Sequence, residues 1–154
     1  MTTSGVNQFW DFSLAFYAEP GVDTGCLHLQ ERHQLNVNMV LLCCWGGVEG
    51  LQISSSVIAT LLSDATLSAW RTDVVEIIRS LRKDLAGHSL PVSELRERVK
   101  EAEIEAERLE QDYIYGVLQG DIISAAPGPH TLYRNLLAYW HGAGLATIDW
   151  GEVE

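Results

Sequence analysis

The side chains that could carry chemistry fall into four groups. Cys26, His28 and His33 lie close together and could offer soft and imidazole ligands to a metal. However, His28 and His33 are five residues apart, not the four that put two ligands on one helix face. No Cys-x-x-Cys pair or second cluster completes a zinc set, so two exposed histidines and a buried thiol are expected, with no metal. Glu103, Glu107 and Glu110 share one helical stripe, as the carboxylates of a bridged metal pair would. That chemistry needs Glu-x-x-His partners, which are lacking, and the stripe reads as a solvated face. Cys43 or Cys44 as a nucleophile would need a lowered pKa, whereas their apolar setting predicts a raised one. Finally, Asp11 stands among the aromatics of Phe9-Trp10-Asp11-Phe12, either in a pocket or as a first-turn acid favoured by the helix dipole.

Other signatures are missing. There is no Gly-x-Ser-x-Gly elbow, phosphate-cradling loop or dinucleotide fingerprint. Gly46-Gly47 follows an apolar segment, but a helix C-terminus presents carbonyls, which repel phosphate. No catalytic residue and no cofactor is assigned. The polar and aromatic residues placed in a candidate pocket are Trp10, Asp11, His33, Asn38, Trp45, Trp70 and Arg71.

The elements that would position these residues are helical throughout. Asn7 can cap a first helix reaching Ala18, and Pro20 suits the start of a second running to about Arg32. Asn36 can cap a very apolar third helix, Val37 to Trp45, closed by Gly46-Gly47 and central to the domain. Ser54 to Ser56 can cap a short helix ending near Ser63. Thr66 opens a helix to about Ala86, with Leu67, Trp70, Val74, Ile77, Ile78, Leu81 and Leu85 on one face.

After Gly87 and Pro91 the longest helix runs from Val92 to about Gln119, roughly 42 Å at 1.5 Å per residue. Its Leu95, Val99, Ala102, Ala106, Leu109 and Tyr113 step by four and three along a narrow heptad seam. Its small residues favour packing within the chain over a homodimer seam. The short Gly87–Leu90 connection makes the two helices an antiparallel hairpin, which places Arg71 opposite the Glu103 and Glu107 region. An Arg71–Glu107 or Arg71–Glu103 ion pair is expected there. A last helix covers Thr131 to Trp140. The fold class is therefore all-α, a compact bundle of about six helices in one domain, residues 1–154. The core would span about 7–141, with 142–154 as a tail that Ile148 and Trp150 could pin.

Composition narrows the function classes. A chain of 154 residues with 47% hydrophobic residues can bury a core without staples. A net charge of −11 argues against nucleic acid. Acids such as Asp73, Glu76, Glu97 and Glu101 break up the bases between Arg71 and Arg108, leaving no basic stripe. The longest apolar run, Met39–Trp45, is too short to span a membrane. Three cysteines that cannot all pair, and a start without a basic, apolar leader, point to a cytoplasmic protein.

Phe9-Trp10-Asp11-Phe12-Ser13-Leu14, Tyr17 with Pro20-Gly21-Val22, Asn36-Val37-Asn38 with Leu41-Leu42-Cys43 and Trp45, and Trp70-Arg71 with Val74-Val75 and Leu81-Arg82 form a recognisable pattern. It resembles an uncharacterised proteobacterial family, a domain of unknown function, over roughly Phe9 to Gln111. The resemblance implies a bacterial cytosolic protein and no activity. The expected function is a protein–protein interaction or regulatory module with an unknown protein partner, the chain being a monomer more readily than a homodimer. A small-molecule binder with an aromatic-lined pocket is the alternative, and an enzyme comes third.

Overall fold

A computed structural model describes residues 8–118 and 123–142. Among the described residues, seven helices and one short ribbon form in chain order: α1 Gln8–Tyr17, α2 Val22–His33, α3 Val37–Glu49, β1 Leu51–Gln52, α4 Ser55–Leu62, α5 (65–85), α6 Ser93–Val117, β2 Ile123–Ser124 and α7 Pro129–Gly142. The fold is all-α, as the periodicity requires. The expected Asn7 cap, the Gln119–Gly120 helix end and the 143–154 tail with Ile148 and Trp150 lie outside the described residues. Among the described residues, no helix is long and apolar enough to cross a membrane.

α3 is the central element. Asn36 caps it by accepting from the Asn38 N–H at 2.8 Å, and every residue from Asn38 to Gly47 is buried. The helix does not stop at Gly46-Gly47. It continues to Glu49 and ends at Gly50, whose φ of 72° suits glycine. The paired glycines serve a close approach instead. A Cβ on Gly47 would lie 2.4 Å from Leu132 Cβ, and one on Gly46 2.8 Å from Asn135 Nδ2. Only glycine lets α7 lie this tightly on α3. Asn135, fully buried, then ties the corner together: its Oδ1 accepts from the Ile53 N–H, and its Nδ2 donates to the Cys43 and Leu51 carbonyls. β1 leaves this corner to pair antiparallel with β2, Leu51 opposite Ser124.

α5 is capped by Asp64, which accepts from the Leu67 N–H at 2.9 Å. It is a regular helix over Ala65–Trp70 and again over Glu76–Leu85, but between them Arg71–Val75 makes one π-helical turn. Such a turn inserts an extra residue into the winding and recurs at functional sites. α6, at 25 residues, is about 38 Å long. The Glu76–Leu85 half of α5 packs on α6 and on the π-turn, and on no other element to a comparable extent. α5 and α6 therefore form an arm whose root is in the body and whose tip stands clear of it.

The faces of this arm differ from the sequence reading. Ile77 and Leu81 are 62% and 49% exposed, and on α6 Leu95 and Leu109 are 52% and 41% exposed. Of the expected seam, Ala106 is buried. The face of α6 turned inward is rotated toward Glu103, Glu110, Gln111 and Ile114. The glutamate stripe expected in solvent is thus an interior stripe, because arginines of α5 meet it.

Candidate functional site: a buried polar chain and an apolar cleft at the root of the arm

Glu110 is fully buried on α6, a position that demands compensation for its charge. Arg71, at the first position of the π-turn, supplies it. Its Nη2 donates to Glu110 Oε1 at 2.6 Å and to Asn36 Oδ1 at 2.8 Å. Asn38 Nδ2 donates to the same Glu110 oxygen at 2.6 Å. The chain of contacts continues on both sides. Gln111 Nε2 donates to Asn38 Oδ1 at 2.9 Å and to Ser13 Oγ at 3.0 Å, while the Asn36 N–H donates to the Tyr139 hydroxyl at 2.7 Å. Ser13, Asn36, Asn38, Arg71, Glu110, Gln111 and Tyr139 thereby link α1, α3, α5, α6 and α7 through polar contacts alone. Glu110 Oε2 and Arg71 Nε, both buried, are left without a hydrogen-bond partner.

The expected Arg71–Glu107 or Arg71–Glu103 pair is replaced by Arg71–Glu110. Arg79 takes Glu103 at 3.2 Å and Glu107 at 2.8 Å, and Arg82 also pairs with Glu103. The expectation assumed unbroken α-winding; the extra residue of the π-turn and the longer connection before Ser93 shift the register. Burial pushes the Glu103 carboxyl up, but hydrogen bonds from Arg82 and Arg79 outweigh it and hold the group below its ordinary range. For Glu107 burial wins over Arg79, and its pKa is raised.

Beside this network a cleft of about 650 Å³ opens between α5 and α6. Its walls include Leu67, Trp70, Val74, Leu109 and Tyr113, with Asp73 and Glu110 as the acids and no base. Two bonds brace it: Trp70 Nε1 donates to the Ala106 carbonyl, and the Tyr113 hydroxyl donates to Asp64, each at 2.9 Å. Asp64, half-buried, is held below the usual carboxylate range by the Leu67 N–H first, then by Tyr113.

Among the candidate pocket residues, Asn38 and Arg71 come together on Glu110, and Trp70 walls the cleft. The others go elsewhere. Trp45 packs in the core with Phe9 at 5.7 Å, His33 stands edge-on to Trp140 at 5.2 Å, and Asp11 is exposed on α1 beside half-buried Trp10. Sequence reasoning missed Glu110, Gln111 and Tyr139. The only available signal was that Glu110 falls beside the heptad seam, where one-turn shifts decide burial. Chemically the network binds and holds. Ser13 Oγ is engaged by the Gln111 amide, which is not a base. Burial pushes the Cys43 thiol well up and raises Cys44 and Tyr139 to about 12. Among the described residues, no group of three or more His, Cys, Asp or Glu side chains could hold a metal.

The family model described as "Protein of unknown function (DUF2390)" matches residues 8–114, and the chain belongs to that family. The matched stretch runs from α1 through the part of α6 that carries Glu110 and Gln111, and so includes both sides of the arm. Comparison with curated proteins gives no match, and neither does comparison with solved structures.

Proposed function

We propose that this protein is a cytoplasmic protein–protein interaction module and that the α5–α6 arm is its docking element. One observation carries the reading: the arm keeps its ion pairs between its own two helices and leaves Ile77, Leu81, Leu95 and Leu109 in solvent. Apolar side chains repeated along one groove of an exposed arm are what a partner would cover. Three unpaired cysteines, Cys26, Cys43 and Cys44, support a reducing compartment. A photo-crosslinking residue in place of Leu81, compared with one in place of exposed Thr24 on α2, tests this in cells. A discrete adduct with another protein is expected at position 81 and not at 24; adducts at neither position overturn the reading.

A second reading is favoured by the cleft itself. About 650 Å³ lies within the range of small-molecule sites, and Trp70 and Tyr113 offer ring surfaces. A soluble organic ligand retained through purification and released on denaturation would support it. Mass spectrometry of the denatured protein shows whether one is present.

A further inference from the structure

We infer that the occupant of the arm's groove is a basic amphipathic helix of a partner protein; this rests on the docking reading above and gives the partner its chemistry. The groove is two-sided. On α5, Val74, Ile77 and Leu81 follow one another at three- and four-residue steps, and on α6 Leu95, Ala102 and Leu109 at seven. Leu95 to Leu109 covers about 21 Å, some four helical turns. That is the length over which a helix lays anchors at i, i+3, i+4 and i+7. The cleft forms the deep end of this groove, since Val74 and Leu109 belong to both.

The rims decide the sign of the partner. Outside the α5 stripe lie Asp73 and Asp84, and outside the α6 stripe lie Glu94, Glu101 and Glu105. Five of the arm's eight bases are already engaged, leaving Lys83, Arg96 and Lys100 exposed. Arg71, Arg79 and Arg82 point inward to Glu110, Glu103 and Glu107, while Arg98 and Arg108 are committed to Glu94, Glu105 and Asp112. Asp73, Asp84 and Glu101 form no ion pair among the described residues. A second copy of this chain would bring acid rim against acid rim at a net charge of −11 each, a repulsive arrangement. A helix with apolar residues on one face and lysine or arginine along its flanks satisfies both features. At the deep end, Asp73 beside the Trp70 and Tyr113 rings suits one long cationic side chain, its stem against the rings and its charge at the mouth.

The probe is a leucine–lysine peptide of about 18 residues, five helical turns, with leucine on one face. Its counterpart carries glutamate at every lysine position. Both are titrated calorimetrically into the full chain. The lysine peptide is expected to bind one to one and at least about tenfold more tightly than the glutamate peptide. A Leu81→Ser/Leu95→Ser variant keeps the net charge and so keeps any unspecific attraction for a polycation, yet it should lose about tenfold or more in affinity. Circular dichroism confirms that it folds. Asp73→Lys/Glu101→Lys should shrink the preference for the lysine peptide. Equal binding of both peptides overturns the inference, as does binding that Leu81→Ser/Leu95→Ser leaves unchanged. So does a micromolar dimer in sedimentation that this variant dissolves, which would make a second copy the occupant. A crosslinked partner at position 81 whose captured segment is acidic would sink this inference while leaving the docking reading standing.

Discussion

The two sides of the α5–α6 arm carry opposite chemistry, and each is the reverse of what a surface helix hairpin ordinarily shows. The side on which the two helices meet is charged: Arg71, Arg79 and Arg82 against Glu103, Glu107 and Glu110. The side toward solvent carries an apolar stripe between acidic rims, with Leu81 half exposed and Ile77 more so. The difference suits the two sides to different roles. Buried charge tolerates no slippage, because every carboxylate needs its own cation at hydrogen-bonding distance, so the inner side fixes where the arm stands. Apolar contact is non-directional and tolerant of detail, which suits the outer side to a partner that comes and goes.

Breaking the inner side should have the largest effect. Arg71→Met leaves Glu110 buried with its charge uncompensated, and chemical denaturation should show a loss of about 3–5 kcal/mol. Arg71→Met/Glu110→Leu removes both charges and should recover much of that loss.

Acid titration sharpens the comparison within the inner side. Glu103 has a depressed folded pKa, so its contribution is present above the ordinary value of 4.5 and is lost as pH falls through the lower folded value. Glu107 has a raised folded pKa, so its contribution has the opposite sign: full below 4.5 and lost as pH rises through the folded value. At neutral pH, Glu103→Gln should therefore lower the melting temperature more than Glu107→Gln. Below pH 4 that gap should narrow. Thermal melts of the two variants across pH 3–7 check both statements.

The smallest effect on stability should come from the outer side. Leu81→Ser removes an exposed side chain and should change unfolding free energy by no more than about 0.5 kcal/mol, while weakening binding of the leucine–lysine peptide. Equal damage to folding from Leu81→Ser and Arg71→Met would erase the distinction between the two sides.

Much of the frame was legible from the residues. Asn36 and Ser54 cap the helices their positions suggested, and the apolar run after Asn36 is the centre of the core because nothing polar interrupts it. Gly46-Gly47 misled, since a glycine pair that stops a helix and one that admits a neighbour look alike until Leu132 is in place. The two-residue strands Leu51–Gln52 and Ile123–Ser124 are too short to show a period. The site was half legible. Asn38, Trp70 and Arg71 were singled out, but Glu110 was assigned to a solvated face. A glutamate's own helix says only which stripe it occupies; whether that stripe is wet depends on which cation a second helix presents, and here a single inserted residue decides that.

That inserted residue decides where the arm tolerates a change of length. A five-residue π-turn rotates about as far as four α-helical residues, so deleting one position between Arg71 and Val75 would let regular winding resume with everything beyond it still nearly in phase. A deletion within Glu76–Leu85 has no such slack, and would turn the residues beyond it by about 100° around the axis. The stretch is thus a phase buffer, absorbing one residue that the regular winding on either side cannot. One-residue length variants in this arm are expected to survive in the turn and in the Gly87–Val92 connection, and not in the regular helix between them.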